Sequence, residues 1–303
     1  MTDLPNRTLA AFGAVLIYAS VIAYTDNYVR VIAQDGGLWQ FHATRTAMAF
    51  AILALVALPL GLKLRPNRPG RVLARSAIHG SAMVIYFGAL AFLPVAQVAA
   101  GLFTAPIFVL LIQRFAYGLP ISTLQILAVL VGFGGVVMVL GPEAVSGATF
   151  AALLPVIAGA LYAMGNIATR QWCQGESAET LVAGFFGMLG GIGLIGMAVL
   201  ALFPMTVPAG AEGFLQRGPV WPTGGFLWWT FVQAAGSLLG VGMIVKAYQI
   251  ADASRVSVFE YVILPASAAW GFVLWGETLT WLAVAGMALI ALAGVLITRP
   301  ARA

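Results

Sequence analysis

The sequence contains few charged residues. Asp, Glu, Lys and Arg make up only 8% of the 303 residues, while hydrophobic residues make up 61%. A soluble globular domain carries about 25% charged residues, so this composition excludes one. The apolar segments are each about 20 residues long, which is the length that an α-helix needs to cross the hydrocarbon layer of a bilayer. We therefore predict an all-α polytopic membrane protein in contact with the lipid bilayer.

Cysteine and histidine are almost absent, with Cys173 as the single cysteine beside two histidines. One cysteine excludes a disulfide framework, and these side chains are too few for a dedicated metal or haem centre of the usual kinds. The sequence also lacks G-x-S-x-G, H-E-x-x-H and a phosphate-binding glycine-rich loop with its lysine. We therefore expect a protein that is not an enzyme and that has no metal, no cofactor and no ATP-driven step of its own.

Ten apolar segments are separated by breaks where glycine, proline and charged residues gather. Residues 8–24 have the composition of a signal peptide, but the apolar run is long and no clear small-x-small cleavage site follows, so we predict a retained first helix. The ten predicted spans are residues 8–33, 38–61, 72–93, 95–116, 121–141, 149–173, 177–203, 225–250, 254–274 and 279–298.

Basic residues are distributed unevenly between the two sides of the predicted bundle. If the N-terminus lies inside, only Arg30 and Arg217 fall on the outer side, and eleven fall on the cytoplasmic side. Cytoplasmic loops carry an excess of Lys and Arg, so we predict that both termini are cytoplasmic, and we attribute the positive net charge to topology rather than to a nucleic-acid partner. The eleven are Arg7, Lys63, Arg65, Arg68, Arg71, Arg75, Arg114, Arg170, Arg255, Arg299 and Arg302.

The order of helices, breaks and prolines in residues 8–141 returns in residues 149–298. Pro106 corresponds to Pro265, 159 positions later, whereas A-x-x-D-x-x-x-R in span 1 is echoed by A-x-x-N-x-x-x-R in span 6, 140 positions later. A Pro/Gly-rich insert at about residues 204–224 accounts for the difference. Because each repeat has five helices, the second is predicted to enter the membrane upside down. Inverted repeats are typical of transporters that give alternating access to a site near the midplane.

Ionisable residues within predicted spans are costly to bury and are therefore functional candidates. Asp26 in span 1 and Arg45 in span 2 both lie about seven residues from the outer ends of their spans, hence about 10 Å deep. With Arg30 and His42 they predict an outer cluster. This cluster either is a structural ion pair that fixes helices 1 and 2 or handles substrate or a proton.

On the inner side, Lys246 and Glu260 lie at similar distances from the connection between spans 8 and 9, so we predict that they pair. The pair either clamps these two helices or acts in gating or coupling. Glu260 corresponds to Gly101 in the first repeat, so this charge breaks the internal symmetry.

A third group combines aromatic and polar side chains on helix faces. His79, Met83 and Tyr86 share one face of span 3, and Tyr162 and Asn166 share one face of span 6, because residues three or four apart are neighbours on a helix. These faces either line a cavity for a small amphipathic solute or form interhelical packing. Weaker candidates of the same kind are Gln97, Phe103, Gln233, Tyr248 and Trp270.

Pro106 and Pro265 occupy equivalent places in spans 4 and 9 and are predicted kink points. Glycines crowd spans 5 and 7, where small residues let helices approach closely in lipid. They serve folding and dimerisation alike, so the sequence leaves a monomer and a homodimer open.

Essentially the whole chain resembles a known family. Residues 247–261, AYQIADASRVSVFEY, followed by Gly276-Glu277, look like the second EamA repeat of the drug/metabolite transporter superfamily, and residues 26–30, DNYVR, look like the first. The resemblance implies ten helices in an inverted five-plus-five arrangement around a central cavity, and characterised relatives include amino-acid exporters and S-adenosylmethionine carriers. One departure is that Tyr117-Gly118-Leu119 replaces the Gly-Glu of the first repeat, which predicts unequal hinges.

We therefore predict a secondary transporter in a bacterial cytoplasmic (inner) membrane that exports amino acids or related small metabolites. Uptake of S-adenosylmethionine or a similar cationic metabolite is the alternative. An intramembrane hydrolase is a remote third hypothesis, for which His79, Ser76 and Ser81 are the only candidate base and nucleophiles in the sequence.

Overall fold

The computed structural model describes residues 7–89, 95–141, 151 and 153–298, with the side chains of residues 95–97 left out. These ranges contain helices and connecting loops and no strand. Each of the ten predicted spans coincides with helical residues, and the all-α class is confirmed. Pro94 and Pro142, Arg299 and Arg302, and the side chain of Gln97 lie outside the described part of the chain.

Thirteen α-helices follow one another in the described ranges. They are α1 (Thr8–Asp26), α2 (Val29–Asp35), α3 (Leu38–Ala57), α4 (Pro69–Ala89), α5 (Val95–Leu102), α6 (Ala105–Phe115), α7 (Thr123–Leu140), α8 (Leu153–Gln171), α9 (Ala178–Leu202), α10 (Gly224–Ile250), α11 (Ala253–Phe259), α12 (Ile263–Trp275) and α13 (Trp281–Thr298).

Nine helical segments among the described residues are long and apolar enough to cross a membrane. The predicted sixth span, α8, is not among them, because its 19 residues end in Thr169, Arg170 and Gln171 and include Asn166. The count of ten spans therefore stays a prediction. Large apolar side chains such as Leu194 and Phe272 are exposed on the outside of the bundle, as expected for helices that are embedded in lipid.

The helices pack in pairs that join the two halves of the chain. The most extensive contact is between α7 and α13, followed by α1 with α10, α4 with α8, and α3 with α9. A methyl group built on Gly135 of α7 would lie 2.6 Å from the carbonyl oxygen of Gly286 in α13, and one on Gly286 would meet that of Gly135 at the same distance. The two backbones therefore approach as closely as the glycines allow, which is how helices associate in a bilayer.

Three of the predicted spans are interrupted. Span 1 breaks between α1 and α2, directly after Asp26. Span 4 breaks between α5 and α6, and Pro106 is the second residue of α6. Span 9 breaks at a short 3₁₀ turn, Glu260–Val262, and Pro265 is the third residue of α12. Proline has no backbone N–H and suits the first turn of a helix, so each predicted kink coincides with a real break.

The loop between α9 and α10 contains the predicted insert and covers one end of the bundle. Arg217 donates hydrogen bonds of 2.8 Å to the carbonyl oxygens of Ala33 and Gly36. Trp39 donates to the carbonyl oxygen of Leu215 at 3.0 Å. We call this end of the bundle the insert end. The other end, where Tyr117 of the α6–α7 loop lies, is called the opposite end.

Candidate functional site: a polar and aromatic cavity between the halves

A cavity of about 160 Å³ lies in the middle of the bundle. Its walls come from α1, α3, α4, α8, α9 and α10 and from two of the three interrupted spans, α5–α6 and α11–α12. The wall includes the ionisable residues Asp26, Arg45, Arg75, His79 and Glu260 and the aromatic residues Tyr18, Tyr86, Phe87, Phe103, Tyr162 and Phe185. The combination of rings and charges suits a small solute that has both an apolar part and polar groups.

Most of the predicted cavity residues are brought together here. Asp26, His79, Met83, Tyr86, Phe103 and Tyr162 all line the cavity, as do Arg45 and Glu260 from the predicted gates. The α4 face that carries His79 is therefore a cavity wall and not a lipid-facing stripe.

The first polar group, which we call the Asp26 cluster, consists of Asp26, His42, Arg45, Gln233 and Ser237. Gln233 donates from Nε2 to Asp26 Oδ1 at 2.6 Å, and its Oε1 accepts from Arg45 Nη1 at 3.3 Å and from Ser237 at 2.6 Å. Arg45 Nη2 also donates to His42 Nδ1 at 3.4 Å. The acid and the base are thus bridged by an amide instead of meeting in an ion pair.

The second polar group, which we call the Glu260 cluster, consists of Glu260, Tyr162 and Tyr248. Tyr162 donates its hydroxyl to Glu260 Oε2 at 2.5 Å, and Tyr248 donates to Oε1. All three side chains are buried. Because Glu260 lies in the 3₁₀ turn that interrupts span 9, the break itself turns the carboxylate toward α8 and α10.

The predicted pair of Lys246 and Glu260 is wrong. Lys246 is exposed, whereas Glu260 is buried and is held by two phenols. Lys246 shares α10 with Tyr248, but residues two apart on a helix point in different directions. Matching depth along two helices therefore did not establish a contact.

The predicted outer cluster forms only in part. Arg30 makes no ion pair with Asp26; its guanidinium lies 3.0 Å from Glu277 and stacks over the ring of Trp275 at 4.1 Å. The break after Asp26 ends the α1 helix before Arg30 can follow it by one turn. Asp26, His42 and Arg45 do assemble, with Gln233 as the link.

Two further candidates lie beside the cavity and not on its wall. Trp270 donates to the carbonyl oxygen of Ser20 at 3.0 Å and packs edge-to-face against Tyr24 with ring centroids 5.0 Å apart. Asn166 is buried and interacts with Tyr248, behind the Glu260 cluster. In this conformation, both side chains pack behind the residues that line the cavity.

Several residues of the cavity wall were not predicted from the sequence. Arg75 was counted as a cytoplasmic charge, but it is buried, donating to Thr169 at 2.9 Å and to the carbonyl oxygen of Leu181 at 3.3 Å. It lies four residues before His79 on the same helix face, and that spacing was a usable signal. Ser237 is another such wall residue, and it lies four residues after Gln233 on α10.

The two ends of the bundle are closed by different contacts. At the insert end, the end of α12 is tied to α2 by the Arg30–Glu277 ion pair, beside Tyr28 stacked on Trp229 at 3.5 Å. At the opposite end, the Tyr117 hydroxyl accepts from Trp172 Nε1 at 2.9 Å.

Arg170, which corresponds to Arg30 in the repeat, pairs with Asp252 at 3.3 Å. Each end therefore contains an ion pair. The segment after α12 is held by the charge of Glu277, whereas the corresponding α6–α7 loop is held by the neutral hydrogen bond of Tyr117.

Metal ligation and hydrolysis have little support in the cavity. Within the part of the chain that the structure describes, no three His, Cys, Asp or Glu side chains converge as metal ligands. Ser76 Oγ and His79 Nδ1 each lack a hydrogen-bond partner there, so the two do not form the nucleophile–base contact that a hydrolase needs.

Comparison with known proteins supports a transport role. The model of the EamA-like transporter family matches residues 8–141. The chain is 29% identical to the "Riboflavin transporter" of Rhizobium johnstonii, over 97% of this chain and 93% of that protein. It is 24% identical to the "Pseudopaline exporter CntI" of Pseudomonas aeruginosa, over 84% of each, and 27% identical to the "Riboflavin transporter" of Vibrio cholerae, over 87% and 85%.

A solved crystal structure superimposes with a TM-score of 0.73 and covers 96% of this chain and 97% of its own, at 19% identity. At that identity the likeness shows the fold alone. Residues 8–141 match the EamA-like transporter family, the described ranges contain nine helical segments that are long and apolar enough to cross a membrane, and the relatives that match most of the chain are named as transporters or exporters.

Proposed function

We propose that the chain is a secondary transporter of the bacterial cytoplasmic membrane that exports amino acids or related small zwitterionic metabolites. One observation carries the proposal: acidic and basic side chains line the same aromatic cavity. A zwitterion with an apolar side chain offers complementary charges to both kinds of residue.

The size of the cavity favours a small solute. Pockets that hold drug-sized ligands enclose about 300–1,000 Å³, whereas this cavity encloses about 160 Å³. An amino acid fits such a space with less rearrangement than a larger metabolite.

The packing of the helices supports an inverted repeat. If residues 8–141 and 149–298 are exchanged, α1 becomes α8, α4 becomes α10 and α6 becomes α12. The α1–α10 contact then becomes the α8–α4 contact, and the α6–α8 contact becomes the α12–α1 contact; the α3–α9 and α7–α13 contacts map onto themselves. Every one of these contacts is present, which is the pattern expected of two equivalent halves around a central site.

Alternating access is proposed to use the two matched breaks. Pro106 and Pro265 lie in the first turns of α6 and α12, directly after the breaks in spans 4 and 9. Residues at both breaks line the cavity. Movement of α6 or of α12 about its break would open one end while the other stays closed. With the termini in the cytoplasm, the insert end would face outward.

Riboflavin is the second candidate substrate. The Rhizobium relative named for riboflavin matches almost the whole chain, and the ring side chains of Tyr86, Phe87, Phe103 and Phe185 offer surfaces for a flat aromatic ring system. This reading requires the cavity to widen.

Counterflow in proteoliposomes tests the proposal. Vesicles loaded with a mixed amino-acid pool would be offered labelled amino acids, labelled riboflavin and labelled S-adenosylmethionine, one at a time. We expect labelled amino acids, aromatic ones foremost, to accumulate. Accumulation of riboflavin alone would transfer the assignment to flavins, and accumulation of S-adenosylmethionine alone would transfer it to cationic metabolites.

A further inference from the structure

Arg45 carries a buried positive charge that no acidic side chain of the described ranges neutralises directly. The residue is 6% exposed, and it takes part in neither ion pair that these ranges contain. Its hydrogen-bond acceptors are the amide oxygen of Gln233 and the ring nitrogen of His42. A buried charge is expensive unless it is paired, so this guanidinium requires an anion.

The neighbouring groups do not fill that requirement. Nε of Arg45 is buried without a hydrogen-bond partner, and the guanidinium lies over the rings of Phe41 and Phe186 at 4.9 and 5.4 Å. Arginine has five N–H donors in a planar fork that matches a carboxylate. The side chain lines the cavity, so an anion in the cavity can approach it.

Gln233 explains why Asp26 does not supply the anion. Its amide nitrogen donates to Asp26 and its amide oxygen accepts from Arg45 and Ser237. Only this orientation of the amide satisfies both neighbours, because a carboxylate accepts and a guanidinium donates. The amide therefore occupies the position in which the carboxylate of Asp26 and the guanidinium would otherwise meet.

We infer that Arg45 is the receptor for a carboxylate of the transported solute and that Gln233 is the positioning residue that keeps this receptor from being neutralised by Asp26. The inference rests on the proposed function and narrows it to solutes that carry an anionic group. Riboflavin, which has no carboxylate, would not use this receptor.

The test compares ligands that differ by one group. L-Phenylalanine, L-phenylalaninamide and 3-phenylpropionate would be titrated against the purified full-length protein in detergent, with binding followed by tryptophan fluorescence and by the shift in unfolding temperature. We expect L-phenylalanine to bind at least tenfold more tightly than the amide, and 3-phenylpropionate to bind the unmodified protein more tightly than it binds R45Q. In R45Q, L-phenylalanine and its amide should bind within about twofold of each other. In Q233L, the preference for the carboxylate should shrink while binding of the amide is unchanged.

R30Q is the matched control, because it removes an arginine charge from the rim outside the cavity and should keep the full preference. If R45Q fails to fold, R45K and the ligand series on the unmodified protein decide the question. Equal binding of carboxylate and amide by the unmodified protein, the same preference in R45Q, or no binding of either carboxylate would each overturn the inference. Amino-acid counterflow that persists with any of these results would leave the proposed function standing, whereas transport of riboflavin alone would remove both.

Discussion

The Asp26 cluster and the Glu260 cluster line the same cavity, but their carboxylates have different hydrogen-bond partners. Asp26 is exposed to the cavity space, and a glutamine links it to a basic side chain. Glu260 is buried and is held by two phenols that carry no charge. Tyr18 lies between them on α1, about 12 Å from Asp26 along the helix at 1.5 Å per residue.

This difference in partners suggests that the two clusters bind oppositely charged groups of the solute. The Asp26 cluster contains the guanidinium of Arg45 with no carboxylate in contact, so under the proposed function it would select for a negative group. The Glu260 cluster contains a carboxylate whose partners are neutral, so under the same proposal it would select for a positive group. A zwitterion bound between the two would compensate both charges at once, and a ligand with one charge would compensate only one.

Removing the charge of Glu260 should have the largest effect. We expect E260Q to lower the transport rate of L-phenylalanine roughly 10- to 100-fold, since a hydrogen bond to a charged group contributes about 1.5–3 kcal/mol. Initial rates of counterflow measure this. E277Q, the same substitution at the half-exposed rim of the insert end, is the control and should stay within about twofold. Equal losses in the two variants would mean that Glu260 has no special role.

A change in the α7–α13 pair should affect stability and leave both clusters intact. In G135A, the new methyl group would lie 2.6 Å from the carbonyl oxygen of Gly286, whereas in G134A it would meet nothing within 4 Å. We expect G135A to lower the free energy of unfolding by about 1–3 kcal/mol. Thermal unfolding in detergent compares the two neighbours, and the ligand preference of G135A should match that of the unmodified protein. Equal stability of the two variants would contradict the close approach of these helices.

The amide bridge should matter less than the charges that it separates. Replacement of Gln233 by Leu removes its hydrogen bonds to Asp26 and Arg45 but takes no charged group away from the solute, so its effect on the solute is indirect. We therefore predict a threefold to tenfold rise in the apparent KM for L-phenylalanine. Q249L, on the same helix but near the opposite end, loses only a bond to the carbonyl oxygen of Glu176. A KM that rises as much in Q249L would show that the effect is not specific to the cluster.

The rim ion pair should have the smallest effect. Arg30 and Glu277 are about half exposed, with side chains 47% and 55% accessible, and exposed ion pairs contribute about 0–1 kcal/mol. We expect R30Q to change the transport rate less than threefold and to lose its effect at high salt. A loss as large as that of E260Q would make this pair part of the transport machinery.

Much of the fold could be predicted from the hydropathy of the sequence and from the breaks between its apolar segments. Apolar runs of span length located the helices, and the prolines located two of the three interruptions, because the physical signal for each is local. The pairing of side chains was predicted less well. Arg30 was predicted beside Asp26 from its position one helical turn later, and Lys246 was predicted beside Glu260 from matching depth. The helix break after Asp26 separates the first pair, and the side chain of Lys246 is exposed instead of pairing with Glu260.

The wall residues that were not predicted from the sequence share one property. Arg75 and Ser237 resemble ordinary loop-side or interface residues when each is read alone, and only their helical spacing relative to His79 and Gln233 reveals a common face. Which of several such faces turn toward one another is set by helix packing, and that depends on the whole bundle.

The most direct test of the central claim is a counterflow matrix of ligand charge against cluster variant. L-Phenylalanine, L-phenylalaninamide and 3-phenylpropionate would compete with labelled L-phenylalanine in proteoliposomes that contain the unmodified protein, R45Q or E260Q. We predict that removal of the ligand's carboxylate weakens competition in the unmodified protein and E260Q but not in R45Q. Removal of its ammonium group should weaken competition in the unmodified protein and R45Q but not in E260Q. The same penalties in all three proteins would contradict the claim that the two clusters recognise opposite ends of one solute.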